Sequence, residues 1–193
     1  LFIFELCDDF YFFERQRGVA VAAFNADAMQ MRTKRMTQPE GQATTEKGTF
    51  YRETSVSVMI YAPAEIVWRL LTTANDFARW NSTVISVKGE ITPGGAVELV
   101  SKLDPKRVFK LKVKDFVPAQ RLVWGDSKGS RSYALSGGGD GAVRFVMRER
   151  IGGLMFPLYA KYIPSFDASF DDFAADLKRE AEAQQARATR GTR

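Results

Sequence analysis

The stretch AVRFVMRERI, residues 142–151, alternates so regularly that its acid, Glu149, shares one face with Val143, Phe145, Met147 and Ile151. A carboxylate aimed at an apolar interior is costly unless paired, and burial pushes its pKa up. Arg131, on the same parity as Tyr133 in SRSYALS, is a candidate partner. If the strand ends at Glu149, its side chain instead reaches solvent or a backbone N–H. A carboxyl, a phenol and a guanidinium held together could move a proton or stabilise a developing anion, and Asp76 completes that inventory. None of the four sits in a catalytic motif. No catalytic residue is assigned, and whether the protein is an enzyme stays open.

The rest of the composition narrows the chemistry further. The chain of 193 residues has no histidine and a single cysteine, Cys7. Ser-His-Asp and Cys-His arrangements, histidine-ligated zinc and Cys-x-x-Cys sites are therefore excluded. No Asp-rich loop carries the spacing of a calcium site. Neither a metal nor a cofactor is expected. A lone cysteine cannot form an internal disulfide, which points to the cytoplasm rather than a secreted framework. The longest apolar runs are too short to span a bilayer. A net charge of +5 spread over a whole domain reads as solvated surface, so no nucleic-acid partner is expected. SGGGDG, residues 136–141, would need a helix N-terminus behind it to cradle phosphate. Strand pattern on both sides makes it a hairpin turn instead.

These side chains need a framework, and the chain from residue 50 supplies one. In YRETSVSVMIYA, Val56, Val58 and Ile60 face one way and Ser55 and Ser57 the other, as in a half-buried strand. Pro63 suits a first helical turn, and Ile66, Val67, Leu70 and Leu71 follow at helical spacing. NDFARW allows one more short turn, ending in Trp80 and Asn81. Six strand-like segments come next: TVISVKGE, AVELVSKL, RVFKLKVKDFV, RLVWGDS, SRSYALS and AVRFVMRERI. In the third, Phe109, Leu111 and Val113 oppose Lys110, Lys112 and Lys114, the mark of an antiparallel sheet with one wet face. A long amphipathic helix closes the chain, with Phe166, Phe170, Phe173, Ala174 and Leu177 in one stripe.

The first 48 residues read differently. Their aromatics cluster without period, and Glu5, Asp8 and Asp9 interrupt any secretory pattern. Residues 1–48 are expected to be a poorly ordered or non-native extension, with Met36, or else Met29 or Met31, as the native start. An amphipathic helix over residues 18–32 is the competing reading. Residues 49–185 form the domain, and 186–193 a basic, frayed tail.

Four segments in this order resemble the polyketide cyclase/dehydrase and lipid-transport superfamily, also called START-like or Bet v 1-like. They are VSVMIYAPAEIVWRLLTTANDFARWN, VKDFVPAQRLVWGDSKG, RERIGGLMFPL and FDASFDDFAADLKREAEA. The resemblance covers roughly residues 50–185 and implies an α+β helix-grip fold. In such a fold a curved seven-stranded antiparallel sheet wraps a long C-terminal helix, with two short helices after the first strand and a cavity between sheet and helix.

Within that frame the candidate ligand-binding residues are Trp80, Phe109, Leu111, Trp124, Tyr133, Phe145, Met147, Glu149, Met155, Phe156, Phe166, Phe170 and Phe173. Trp80 either anchors the core or guards the cavity mouth. GGLMFPLYAKYIP, after the last strand, either folds onto the core or exposes Leu154, Met155, Phe156 and Tyr159 as a lid or membrane-touching rim. The function expected is binding of a small hydrophobic, lipid- or polyketide-like ligand in the interior, as carrier or sensor. A polyketide cyclase/dehydratase-type enzyme is one alternative; a membrane-associated accessory or assembly protein is another. Membrane contact is thus an alternative rather than an expectation, and the oligomeric state is left open.

Overall fold

The computed structural model describes residues 39–139 and 141–191. The readings of a start at Met36 and of a helix over residues 18–32 therefore lie outside the described residues.

The described chain builds an eight-stranded antiparallel sheet in the order β1-β2-β8-β7-β6-β5-β4-β3. Its strands are β1 (Thr44–Lys47), β2 (Tyr51–Ile60), β3 (Val84–Gly89), β4 (Ala96–Ser101), β5 (Asp104–Val117), β6 (Arg121–Gly125), β7 (Gly129–Gly139) and β8 (Ala142–Gly152). Between β2 and β3 lie α1 (Ala64–Thr72), a 3-10 turn (Ala74–Asp76) and α2 (Phe77–Trp80). After β8 come α3 (Phe156–Tyr159), a second 3-10 turn (Ala160–Tyr162) and the long α4 (Asp167–Gly191). The architecture is an α+β helix grip, and only β2 and β8, the ends of the meander, close back on each other.

The alternation that marks each strand is realised as burial. Val56, Val58 and Ile60 of β2 are buried, as are Val143, Phe145 and Met147 of β8. Phe170, Phe173, Ala174, Leu177 and Ala181 of α4 meet them. Pro63 precedes α1, whose buried face is Val67, Leu70 and Leu71. The β7–β8 hairpin turns between Gly139 and Ala142, with Gly139 and Gly141 at φ 78° and 76°, so Ser136, Gly137 and Gly138 of the expected turn extend β7 instead.

Two boundaries differ from the sequence reading. An eighth strand, β1, lies inside the segment assigned to the N-terminal extension. Its polar residues carry no hydrophobic alternation because β1 is a sheet edge, where charged and hydroxyl side chains discourage further pairing. It is held by Thr45 Oγ1 against Thr54 Oγ1 at 2.8 Å, while the neighbouring Ala43 N–H donates to Asp171 of α4 at 2.6 Å. At the other end, residues 186–191 are the last turns of α4 rather than a frayed tail. Alanine, glutamine and arginine favour helix. Arg187 and Thr189 cap backbone carbonyls four residues back, at 3.1 and 3.0 Å, and the basic end suits the helix dipole.

Candidate functional site

Strand register arranges the inner face in rows. One row runs Thr54, Glu149, Arg131 and Trp124. The next runs Val56, Met147, Tyr133 and Leu122, and a third runs Val58, Phe145 and Leu135. Helix α4 crosses these rows with Phe173, which stacks on Tyr133 (5.7 Å, 25°) and Phe145 (6.1 Å, 13°). Trp80 meets Phe173 edge-on at 5.5 Å, and Trp124 meets Tyr133 edge-on at 5.3 Å. Phe77 bridges the two tryptophans. Trp80, Trp124, Tyr133, Phe145, Met147 and Phe173 therefore form one interior cluster.

Trp80 is only 3% exposed, so it does not stand at a wet mouth as a gate would. The physical reason is the short α2, which turns the ring inward between Phe77 and Phe173. Asp176 of α4 holds that turn by accepting the Ser82 N–H at 2.6 Å. Burial works against the Asp176 carboxylate, but bonds from Ser82 and Arg179 hold its pKa below the ordinary value.

The polar row is paired within the protein. Arg131 Nε donates to Glu149 Oε2 at 2.6 Å, and Nη2 touches the same oxygen. The guanidinium also lies 5.4 Å from the Phe170 ring centre. Arg52, on the same inward parity as Thr54 and Val56, lies over Phe166 at 4.7 Å and donates to the carbonyls of Ile163 and Pro164 at 3.1 and 2.7 Å. Tyr133, wholly buried, has its phenol pushed up to about 12 by that burial, against the pull of Arg131. Arg131 pulls against that burial by its charge and by a hydrogen bond from its guanidinium, and the hydroxyl proton has no acceptor among the described residues.

Two more buried donors share that condition: Trp80 Nε1 and Asn81 Nδ2. Asn81 Oδ1 accepts from the backbone N–H and the hydroxyl of Thr83 at 2.9 and 2.8 Å, which orients the amide and leaves its NH2 group without a protein acceptor. A buried donor left unpaired costs about 1–3 kcal/mol. Two of the three, Tyr133 and Trp80, belong to one aromatic cluster, and Asn81 follows Trp80 in the chain.

A cleft of about 490 Å³ opens beside the start of α1, and none of the three donor residues lines it. Pro63, Ala64 and Glu65 at the start of α1 line one side, and Ala119, Gln120, Ser136 and Gly137 the other. Its floor is Leu135 and Val143, both members of the core. The β5–β6 turn at its rim places Pro118 second and Ala119 third, with Gln120 N–H donating to Val117 O at 3.0 Å. Ala119 sits at φ 55°, where a type II turn normally wants glycine.

The remaining expected residues scatter. Phe109 and Leu111 are half-buried on β5, and Phe166 is half-buried beside Phe170. Phe156 is buried beneath its own loop against Tyr159 at 5.6 Å. Met155 is 63% exposed and does not join the interior cluster, since the short α3 that follows it buries Phe156 instead. The cleft, Asn81 and Arg52 were missed as site residues. Arg52 could have been found, since it alternates in phase with Val56 and Val58. The cleft could not, because it joins three turns distant in sequence.

The family model described as "Polyketide cyclase / dehydrase and lipid transport" matches residues 51–182. The chain belongs to this family. A search of curated proteins returned no match. Among solved structures, a conserved protein of unknown function, EF2215 from Enterococcus faecalis, is 15% identical with a TM-score of 0.55, over 74% of this chain and 78% of that one. The Zhui aromatase/cyclase from a Streptomyces species is 16% identical with a TM-score of 0.54, over 69% and 95% of the two chains. SA2116 from Staphylococcus aureus, also of unknown function, is 12% identical with a TM-score of 0.54, over 72% and 96%. At these identities the likeness is one of fold. Among the described residues no helix is long and apolar enough to cross a membrane.

Proposed function

We propose that the protein binds a small hydrophobic molecule bearing oxygen acceptors, as a cytoplasmic carrier or sensor. The ligand enters by the cleft over Leu135 and Val143 and reaches the aromatic cluster, where Tyr133, Trp80 and Asn81 donate to it. The observation that carries this reading is the set of three buried donors with no protein acceptor among the described residues. Apolar walls supply affinity and a few placed polar groups supply orientation. Membership of the polyketide cyclase/dehydrase and lipid-transport family supports the ligand class.

The test compares flavone, which has a carbonyl acceptor, with phenylnaphthalene, a hydrocarbon of similar size. Tyr133→Phe removes a donor while keeping the ring. It should weaken flavone binding about tenfold, the worth of one hydrogen bond, and leave the hydrocarbon unchanged. Equal effects on both probes, or none on either, would sink the reading.

A cyclase-type enzyme is the second reading, favoured by one observation. Tyr133 stays protonated to about pH 12 beside a cation, so it could hydrogen-bond a substrate carbonyl. Catalysis would also need a base within reach, and the hydroxyl proton has no acceptor among the described residues. Binding is therefore preferred. Turnover of an aromatic polyketone that Tyr133→Phe abolishes without loss of affinity would reverse that order.

A further inference from the structure

Among the described residues, five of the ten exposed large hydrophobic side chains lie at one end of the domain: Phe50, Leu154, Met155, Leu158 and Tyr162. Backbone bonds join the three segments that carry them and their neighbours. Gly153 N–H donates to Phe50 O at 2.9 Å, and Gly152 N–H to Lys128 O at 3.0 Å. The loop at residues 152–164 is not loose chain that failed to pack. Phe156 is buried, and Tyr159 meets it edge-on and donates to Gly152 O at 3.4 Å. Met155, Leu158 and Tyr162 fall at the complementary helical spacing, so the two short helical turns are amphipathic with their second apolar face turned to solvent. Leu154 is the most exposed of all, at 86%.

Among the described residues, basic side chains are the unpaired charges this loop itself carries to solvent on the face, and its acidic neighbours are engaged. Between Glu149 and Asp167 the charged residues are Arg150 and Lys161 alone. Lys128, from the β6–β7 turn, and Lys47, from the end of β1, are exposed beside the same face. A cleft of about 560 Å³ runs from Phe50 and Leu154 to Lys114, Lys128 and Arg150. Its acid, Asp126, is engaged by the N–H groups of Lys128 and Gly129 at 2.8 and 2.9 Å. Glu53, close by, is paired with Arg150.

We propose that this end of the domain docks on an anionic membrane surface. Leu154, Met155, Leu158 and Tyr162 insert at the level of the acyl boundary, while Lys128 and Lys161 meet lipid phosphates. Apolar tips ringed by lysine are the arrangement that interfacial binding requires, since insertion and attraction to anionic lipid add. The proposal does not depend on the interior taking a ligand, because the face lies on the opposite flank from the cleft over Leu135 and Val143.

The experiment is co-sedimentation of the full chain with vesicles of phosphatidylcholine alone and with one quarter phosphatidylglycerol. Binding is expected on the anionic vesicles and should fall at least about tenfold on pure phosphatidylcholine. Leu154→Ser with Met155→Ser should reduce it by about tenfold or more, and Lys128→Glu with Lys161→Glu by a similar factor. All four positions are exposed, and unchanged thermal midpoints should accompany each loss. No binding to anionic vesicles overturns the proposal. Binding that ignores the serine variants also overturns it, as nonspecific adsorption by a basic protein, and so does binding indifferent to the glutamate variants. Analytical ultracentrifugation supplies the remaining outcome: a dimer that Leu154→Ser with Met155→Ser dissolves would make this face a contact between copies instead.

Discussion

Along β8, Phe145 and Met147 are wholly buried, and two residues later Glu149 on the same face keeps an ion pair with Arg131. In the middle of the sheet the aromatic rings pack on one another, while Tyr133, Trp80 and Asn81 keep donors with no acceptor among the described residues. Toward the β8 end Glu149 and Glu53 are paired with Arg131 and Arg150, while Leu154, Met155, Leu158 and Tyr162 leave apolar surface open. The contrast teaches how to separate structural from available chemistry in one fold. A buried polar group satisfied by its neighbour holds the protein together, and one left unsatisfied has something still to bind.

The largest effect that could break this comparison is at Phe173. Its ring touches those of Trp80, Tyr133 and Phe145, so Phe173→Ala should cost about 3–5 kcal/mol in urea unfolding. A markedly smaller loss would show that the middle of the sheet encloses a void rather than a packed cluster. Glu149→Gln comes next. Breaking a fully buried pair costs about 3–5 kcal/mol, and here, with side chains 22% and 17% exposed, about 2 kcal/mol is expected. If Glu149→Gln is neutral in unfolding yet alters ligand affinity, the paired row belongs to the site and not to the scaffold.

The smallest effect at neutral pH, and the sharpest, is Tyr133→Phe. Removing a buried hydroxyl whose proton has no acceptor among the described residues should leave stability unchanged or slightly raised. At alkaline pH the two proteins should part. The phenol ionises at its ordinary 10 when unfolded and at about 12 when folded, so its contribution is complete below pH 10. It is lost as pH rises from 10 to 12, by about 3 kcal/mol. Tyr133→Phe should lack that decline, read as the difference between the two unfolding curves. Parallel curves would mean that the hydroxyl is already solvated or paired.

Much of this was legible before any coordinates. Alternation in residues 51–60, 107–114 and 142–151 places Val56, Phe109 and Glu149 on the inner face, because side chains in a strand have a period of two. The same parity brought Arg131 to Glu149, since neighbouring strands in register keep their faces aligned. Other features carried no such signal. β1 is polar because it lies at an edge, and its pairing with β2 depends on a partner the local sequence does not name. Residues 186–191 read as a tail because charge and threonine suggested fraying, whereas backbone continuity from α4 kept them helical.

The sequence by itself determined the strand order of burial, the helix stripe of Phe170 and Phe173, and the absence of histidine-based chemistry, all through periodicity and composition. Only the tertiary structure decided that Trp80 turns inward, that Met155 turns outward, and that three donors end without acceptors among the described residues. Those outcomes depend on where segments far apart in the chain meet, as Asp176 meets Ser82 and Gly153 meets Phe50. Local patterns say which face of an element is apolar, but not what stands opposite it.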